Sequence, residues 1–312
     1  MTRIIFATDV HGSELTFRKL ISAAKMHKAN VVILGGDMTG KIIVPIIKQP
    51  DGKYTAKFLG NIVKIDDEKE LEQLENNIRL TGYYPYRTTL EEYQEISKDS
   101  SKQYNLFTDL MIEQILRWDK LAEQHLKPLG IKFYVCPGND DRIEVDEAID
   151  SKCSFLINTE GKIIWIDDFH EMISTGWSNI TPFGSPKEMP EDELLRKIEN
   201  MISKLKNVEN SIFNLHCPPI DTTLDKAPKL DKDLRPSLRE TISAGSVAVR
   251  KVIEKYQPLL GLHGHIHESR GIEKIGRTLC INPGSEYTEG ILRAVIIDLS
   301  ENKVKSYLFI SG

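Results

Sequence analysis

Apolar, β-branched runs alternate along this chain with polar turns, and five of the runs stop at a residue able to bind metal. Ile4-Ile5-Phe6-Ala7-Thr8 leads into Asp9-Val10-His11, and Val31-Val32-Ile33-Leu34 into Gly35-Gly36-Asp37. Phe133-Tyr134-Val135-Cys136 leads into Pro137-Gly138-Asn139-Asp140-Asp141. Ile212-Phe213-Asn214-Leu215 leads into His216, and Leu259-Leu260-Gly261-Leu262 into His263-Gly264-His265-Ile266-His267. Short runs of this kind read as buried strands. Open α/β sheets bind ligands at the carboxyl ends of their strands, so these ends predict one polar site assembled from distant segments.

The spacing predicts strands at 3–8 and 31–34 around a helix capped by Ser13, in which Phe17, Leu20, Ile21 and Ala24 recur at helical intervals. This βαβ opening implies a parallel pair. Between 41 and 130 the rhythm breaks. Ile42 to Ile47 and Tyr54 to Ile65 read as two strands around Pro50-Asp51-Gly52, followed by helices at 67–80, 90–97 and 104–125. We read this stretch as a hairpin-plus-helices insertion beside the site, within a single domain spanning 1–312. Strands resume at 132–136, 163–167, 171–176, 211–215 and 259–262, with helices at 191–206 and 246–256. The chain ends in strands at 276–281, 292–298 and 303–309. The order predicts an α/β fold of two packed sheets with helices on the outer faces.

In an extended chain residues i and i+2 point the same way, so Asp9 with His11, and His265 with His267, are expected to grip metal with little loop distortion. The donor set is Asp9, His11, Asp37, Asn139, His216, His265 and His267. Mixed carboxylate and imidazole donors suit Mn²⁺, Fe or Zn²⁺ better than Ca²⁺. The set is too large for one ion and about right for two sharing a carboxylate. Two divalent cations outweigh Asp9, Asp37 and a bridging hydroxide, and the remaining positive charge attracts a phosphate. The other histidines, His27, His125, His170 and His263, fit surface or strand-end positions. Arg142, just beyond Asn139, is a candidate phosphate contact, with a salt bridge as the alternative. The Gly245-Ser246 helix start reads as an ordinary N-cap in preference to an anion site.

Composition narrows the partners. The 312 residues are 40% hydrophobic and 28% charged with a formal net charge of -5, so no basic excess points to nucleic acid. Four cysteines, at 136, 153, 217 and 280, show no C-x-x-C spacing, and are expected as reduced thiols. No signal-peptide pattern opens the chain and no apolar run approaches the length of a membrane span, so a cytoplasmic location and no membrane partner are expected.

Taken together, Asp9-Val10-His11, Gly36-Asp37, Gly138-Asn139, His216 and Gly264-His265-Ile266-His267 resemble, in order and in placement after strands, the motifs of the calcineurin-like metallophosphoesterases. The blocks span nearly the whole chain. The resemblance implies a four-layer α/β/β/α sandwich of two mixed sheets. It implies one metal on Asp9, His11, Asp37 and His267, and a second on Asp37, Asn139, His216 and His265, with Asp37 bridging. It also implies hydrolysis of a small phosphorylated substrate, a mono- or diester, by a metal-bridging hydroxide, with Asn139, Asp140 and His265 in the catalytic constellation and Asn139, Asp140 and Arg142 near the substrate. Many relatives carry histidine where this chain has Asp140. Asp140 is therefore expected either as a proton donor with a raised pKa or as a structural residue turned away. Two alternatives stand beside this reading. One is a nuclease, for which Lys41, Lys48, Lys53, Lys57 and Lys64 offer a modest basic strip. The other is an inactive scaffold, which the retained donors oppose.

Overall fold

The computed structural model describes residues 1–237 and 239–312. Its helices are α1 (Glu14–Met26), α2 (Glu68–Leu80), α3 (Leu90–Lys98), α4 (Ser100–Leu126), α5 (Ile143–Lys152), α6 (Glu191–Ile202) and α7 (Val247–Tyr256). One six-stranded sheet runs in the order Lys303–Ser311, Arg293–Ser300, Thr2–Ala7, Val31–Leu34, Lys132–Val135 and Leu156–Asn158. The second runs Gly271–Ile275, Thr278–Asn282, Leu260–Leu262, Ile212–Leu215, Glu171–Thr175 and Ile163–Trp165. Both are mixed: the first is antiparallel only on the side of Arg293–Ser300 and Lys303–Ser311 and parallel through to its Leu156–Asn158 edge, and the second is parallel at its centre and antiparallel at both edges.

Period-2 alternation decides what each strand residue touches. Ile4 and Phe6, with Val31 and Ile33, point between the sheets and meet Met172, Ile212, Leu260, Leu262 and Ile281. Ile5 and Ala7, with Val32 and Leu34, point outward to α1, α4 and α5. Both faces are covered, which is why these strands read as unbroken apolar runs. On the far side Ile173, Phe213 and Leu215 pack under Leu194 and Ile198 of α6 and Val249, Val252 and Ile253 of α7. The layers are thus α/β/β/α. Ser13 caps α1 as its sequence predicts, accepting from the Thr16 amide at 3.3 Å. At α7, Ser246 accepts from the Val249 amide, and the Glu191 carboxylate takes the Val247 and Ala248 amides. That helix start is filled by the protein's own groups.

The 41–130 stretch departs from its expected form. Tyr54 to Ile65 is not one strand: it breaks into Tyr54–Phe58 and Asn61–Ile65 at Leu59-Gly60, both left-handed, as a two-residue hairpin requires. A further strand, Tyr84–Thr89, lies parallel to Ile43–Lys48 and completes a four-stranded inserted sheet. Pro85 hid it, yet proline is tolerated because this strand is the sheet's edge. Leu71, Leu74 and Ile78 of α2 pack on Val44, Ile46, Ala56 and Ile65 as a small separate cluster. α4, by contrast, belongs to the main body. Its Trp118 stacks on Phe17 with ring centroids 4.1 Å apart, and Ile115, Ala122 and Leu126 join the outer core of the first sheet. The antiparallel pair Lys226–Leu230 and Pro236–Ser243 was also not foreseen, because Pro228, Pro236 and the interspersed lysines mask strand alternation.

Candidate metal centre

The parallel strands finish level with one another: Ala7 pairs with Leu34, Leu34 with Val135, and Asn214 with Leu262. Every candidate donor lies in the loop immediately after one of these ends, so the loops crowd along a single edge. There the side chains fall into two groups whose donor atoms lie within 4.8 Å of one another, Asp9, His11 and His267, and Asp37, His216 and His265, with a third, His11, Asp37 and Asp140, overlapping both. His267 Nε2 stands 3.1 Å from His11 Nε2 and 3.4 Å from Asp9 Oδ1. His216 Nε2 stands 3.5 Å from Asp37 Oδ1, and Asn139 Oδ1 lies 2.8 Å from His265 Nδ1. The groups adjoin, since His11 Nε2 is 3.7 Å from Asp37 Oδ2 and His216 Nε2 is 3.8 Å from Asp9 Oδ1.

The extended-chain premise fails, although Asp9 and His11 do share a group while His265 and His267 do not. Asp9, His11, Asp37 and His265 all have left-handed backbone, with φ of 53°, 38°, 44° and 67°. The two histidines of the last motif consequently serve different groups. Left-handed non-glycine residues cost of order 1 kcal/mol or more each and cluster at functional sites. Backbone bonds between loops hold them: the Asp9 amide donates to Gly36 O at 3.0 Å, and that of His11 to Asp37 O at 2.9 Å. Two glycines permit the crowding. A Cβ on Gly36 would overlap the His216 ring, and one on Gly264 would overlap Thr8 and the Asp9 carboxylate.

The donor set fits divalent cations on its own chemistry. His216 Nδ1 faces the Gly35 carbonyl at 3.2 Å, while its Nε2, fully buried, has no hydrogen-bond partner and points at two carboxylates. Burial opposes charge on this imidazole, but Asp37 and Asp9 outweigh it and lift its pKa to about 9. A metal cation answers the same demand for positive charge. Burial also pushes Asp9 upward, yet His216, His267 and His11 around it hold its carboxyl well below the ordinary range. Asp37 goes the other way, to about 6, through burial and the neighbouring Asp140 charge.

The residues around the donors separate into supports and rim. Thr8 Oγ1 donates to Asp9 Oδ2 at 2.7 Å. Asp141, unremarked in the sequence, ties two motif loops together: its carboxylate accepts from the amides of Met38, Thr39 and Gly138 and from the Thr39 hydroxyl. Beneath the Asn139 turn, the buried Lys187 pairs with Asp146 and donates to Pro137 O at 3.3 Å. At the rim, Lys41 pairs with Asp140, and the Tyr287 ring lies 4.6 Å from that of His11. The sequence flagged Lys41 only as part of a basic strip; its partner lies 99 positions away (140 minus 41), where no local pattern reveals it. Lys53 of the same strip is engaged with Asp66.

Two expectations are corrected. Asp140 does not carry a raised pKa: burial pushes it up, but Lys41 and the Ser185 hydroxyl override burial and leave it at about 2. Arg142 does not join the cluster. Its guanidinium donates to Tyr104 O and Thr108 Oγ1 and lies 3.8 Å over the Tyr104 ring, on α4. The cysteines are unpaired, with Cys136, Cys217 and Cys280 buried. No helix among the described residues is long and apolar enough to cross a membrane.

No protein-family profile matches the chain. A curated relative, uncharacterized protein MJ1162 of Methanocaldococcus jannaschii, is 39% identical over 149 residues, covering 47% of this chain and 61% of that protein. The chain thus spans less than two thirds of the curated relative's length. Among solved structures, TT1561 of Thermus thermophilus aligns over 100% of this chain and 98% of its own, with TM-score 0.52 and 13% identity, which shows a shared fold. A novel archaeal phosphodiesterase covers 99% of both chains at 13% identity and TM-score 0.39, a superposition too loose to define one. The fold is the four-layer α/β/β/α arrangement expected from the sequence: two mixed sheets face to face, helices outside, and Asp/His groups that could hold metal along one edge.

Proposed function

We propose that the chain is a metal-dependent phosphoesterase that hydrolyses a phosphate mono- or diester. The observation that carries this reading is the pair of adjoining groups, Asp9 with His11 and His267, and Asp37 with His216 and His265. Asp9, His11 and His267 would hold one ion; Asn139, His216 and His265 the other, with Asp37 between them. Divalent ions such as Mn²⁺, Fe or Zn²⁺ supply there a Lewis acid for a phosphate oxygen and a lowered pKa for water.

The chain's own part is orientation and charge. The Gly35 carbonyl fixes the His216 ring, and Thr8 fixes the Asp9 carboxylate. Partners of this kind set the tautomer and angle of metal-binding side chains. The Asp140 amide donates to Asp37 Oδ1 at 3.0 Å, so Asp37 is anchored by backbone from the loop after the neighbouring strand. Burial of Asp9, His11, Asp37, Asn139 and His216 keeps bulk water from screening these charges.

The test is a purified, metal-reconstituted protein assayed on p-nitrophenyl phosphate and on bis(p-nitrophenyl) phosphate, beside Asp37→Ala. Hydrolysis of one of them that requires added metal and is lost in Asp37→Ala is the expected result. Absence of hydrolysis with Mn²⁺, Fe and Zn²⁺ alike, or an unaffected Asp37→Ala, would overturn the reading.

A further inference from the structure

We propose that Lys41 is the phosphate-binding cation of this site, held ready by Asp140 and delivered by the inserted sheet; the inference rests on the phosphoesterase reading above. Asp140 offers a carboxylate oxygen within 4.8 Å of donor atoms of His11 and Asp37, so the ammonium paired with it stands at the border of the donor cluster. The Lys41 side chain is 52% exposed and therefore open to the solvent from which a substrate arrives. An ammonium has three N–H donors, and its carboxylate partner leaves others for phosphate oxygens.

Asp140 is a fixed anchor. Ser185 Oγ donates to its Oδ1 at 2.6 Å and Asn139 Nδ2 at 3.3 Å. A bare carboxylate at this mouth would repel a phosphate, and Lys41 cancels that charge where it matters. The main chain beside Lys41 is placed as firmly. The Gly40 amide donates to Tyr84 Oη at 2.7 Å, Tyr84 Oη to Gln114 Oε1 at 3.0 Å, and Gln114 Nε2 to Gly12 O at 2.6 Å. This buried chain of bonds links the inserted sheet, α4 and the loop bearing His11. A Cβ at Gly40 would overlap the Gly82 carbonyl, so the turn that leads into the Tyr84–Thr89 strand sits flush against the site loop. Arg142, the other cation expected near the phosphate, is committed to α4.

The experiment compares Lys41→Gln, Lys41→Arg and the double variant Lys41→Gln with Asp140→Asn in the metal-loaded protein. It reads KM and kcat for whichever p-nitrophenyl ester the wild type hydrolyses, and binding of inorganic phosphate by calorimetry. Lys41→Gln should raise KM and weaken phosphate binding about tenfold, the scale of one charge-assisted contact, with kcat changed much less. Lys41→Arg should recover most of the affinity. The double variant separates binding from neutralisation: it should stay weak, and recovery of wild-type affinity there overturns the proposal. So does unchanged phosphate affinity in Lys41→Gln, or a wild type that binds no phosphate. Failure of the wild type to hydrolyse either ester while binding phosphate through Lys41 would strike the phosphoesterase reading and spare this one.

Discussion

His216 turns Nδ1 to the carbonyl of Gly35 at 3.2 Å, and its opposite nitrogen is left, buried and without a partner, against Asp37. A ring with one nitrogen committed to a carbonyl has one lone pair to offer, and here that lone pair and a carboxylate share a direction. Asp37→Asn keeps shape and can still accept from the Asp140 amide, but removes the charge. Metal analysis after reconstitution should give about two ions per wild-type chain and fewer in the variant. Loss of a donor should cost more than the 10–100-fold typical of removing a supporting partner, in metal affinity and in turnover.

Asp141 accepts four hydrogen bonds from two motif loops. In Asp141→Asn an NH₂ must replace one oxygen and will face amide donors. The expected cost is about 2–3 kcal/mol in urea-induced unfolding, with metal affinity reduced on the order of 10- to 100-fold. A variant as stable and as metal-avid as the wild type would refute this role.

Asp140, held at about 2, is ionised throughout the pH range in which the proposed hydrolysis would be assayed. A nearby cation would push it lower still. Asp140→Asn should therefore leave both limbs of the pH–rate profile in place between about pH 4 and 9, whatever it does to the rate. The sign for stability is separate: a depressed carboxyl contributes above its unfolded pKa of about 3.9, and that contribution fades as pH falls toward the folded value. A shifted limb in the variant would restore Asp140 to proton transfer.

Trp118 tests where the main body ends. It is fully buried and stacked on Phe17, so Trp118→Ala should destabilise the whole fold by roughly 3–5 kcal/mol, seen as a lower denaturation midpoint. Ile62→Ala, at an exposed position of the inserted sheet, should change stability by no more than about 0.5 kcal/mol.

The two central sheets were legible because strands covered on both faces must be apolar at every position, as Ile4-Ile5-Phe6-Ala7 and Val31-Val32-Ile33-Leu34 are. The donor loops were legible because each begins where such a run stops. The Tyr84–Thr89 strand and the hairpin at Lys226 were not, since proline and lysine at edge or exposed positions erase alternation without preventing pairing. The α5 helix was hidden because only Val145, Ala148 and Ile149 are buried among its acidic residues, and the Leu156–Asn158 strand because it is three residues long. Backbone geometry was misjudged at Asp9, His11 and His265, because left-handed φ is set by contacts between loops and not by the residues themselves. Lys41 with Asp140, and Lys187 with Asp146, are tertiary encounters that one-dimensional spacing does not record.

The bent loops have one more consequence. Their unfavourable torsions at Asp9, His11 and Asp37 are maintained by amide-to-carbonyl ties between one strand end and the next. No one of these loops holds its curvature alone, so a substitution that loosens one strand end is transmitted to the donors carried by the next.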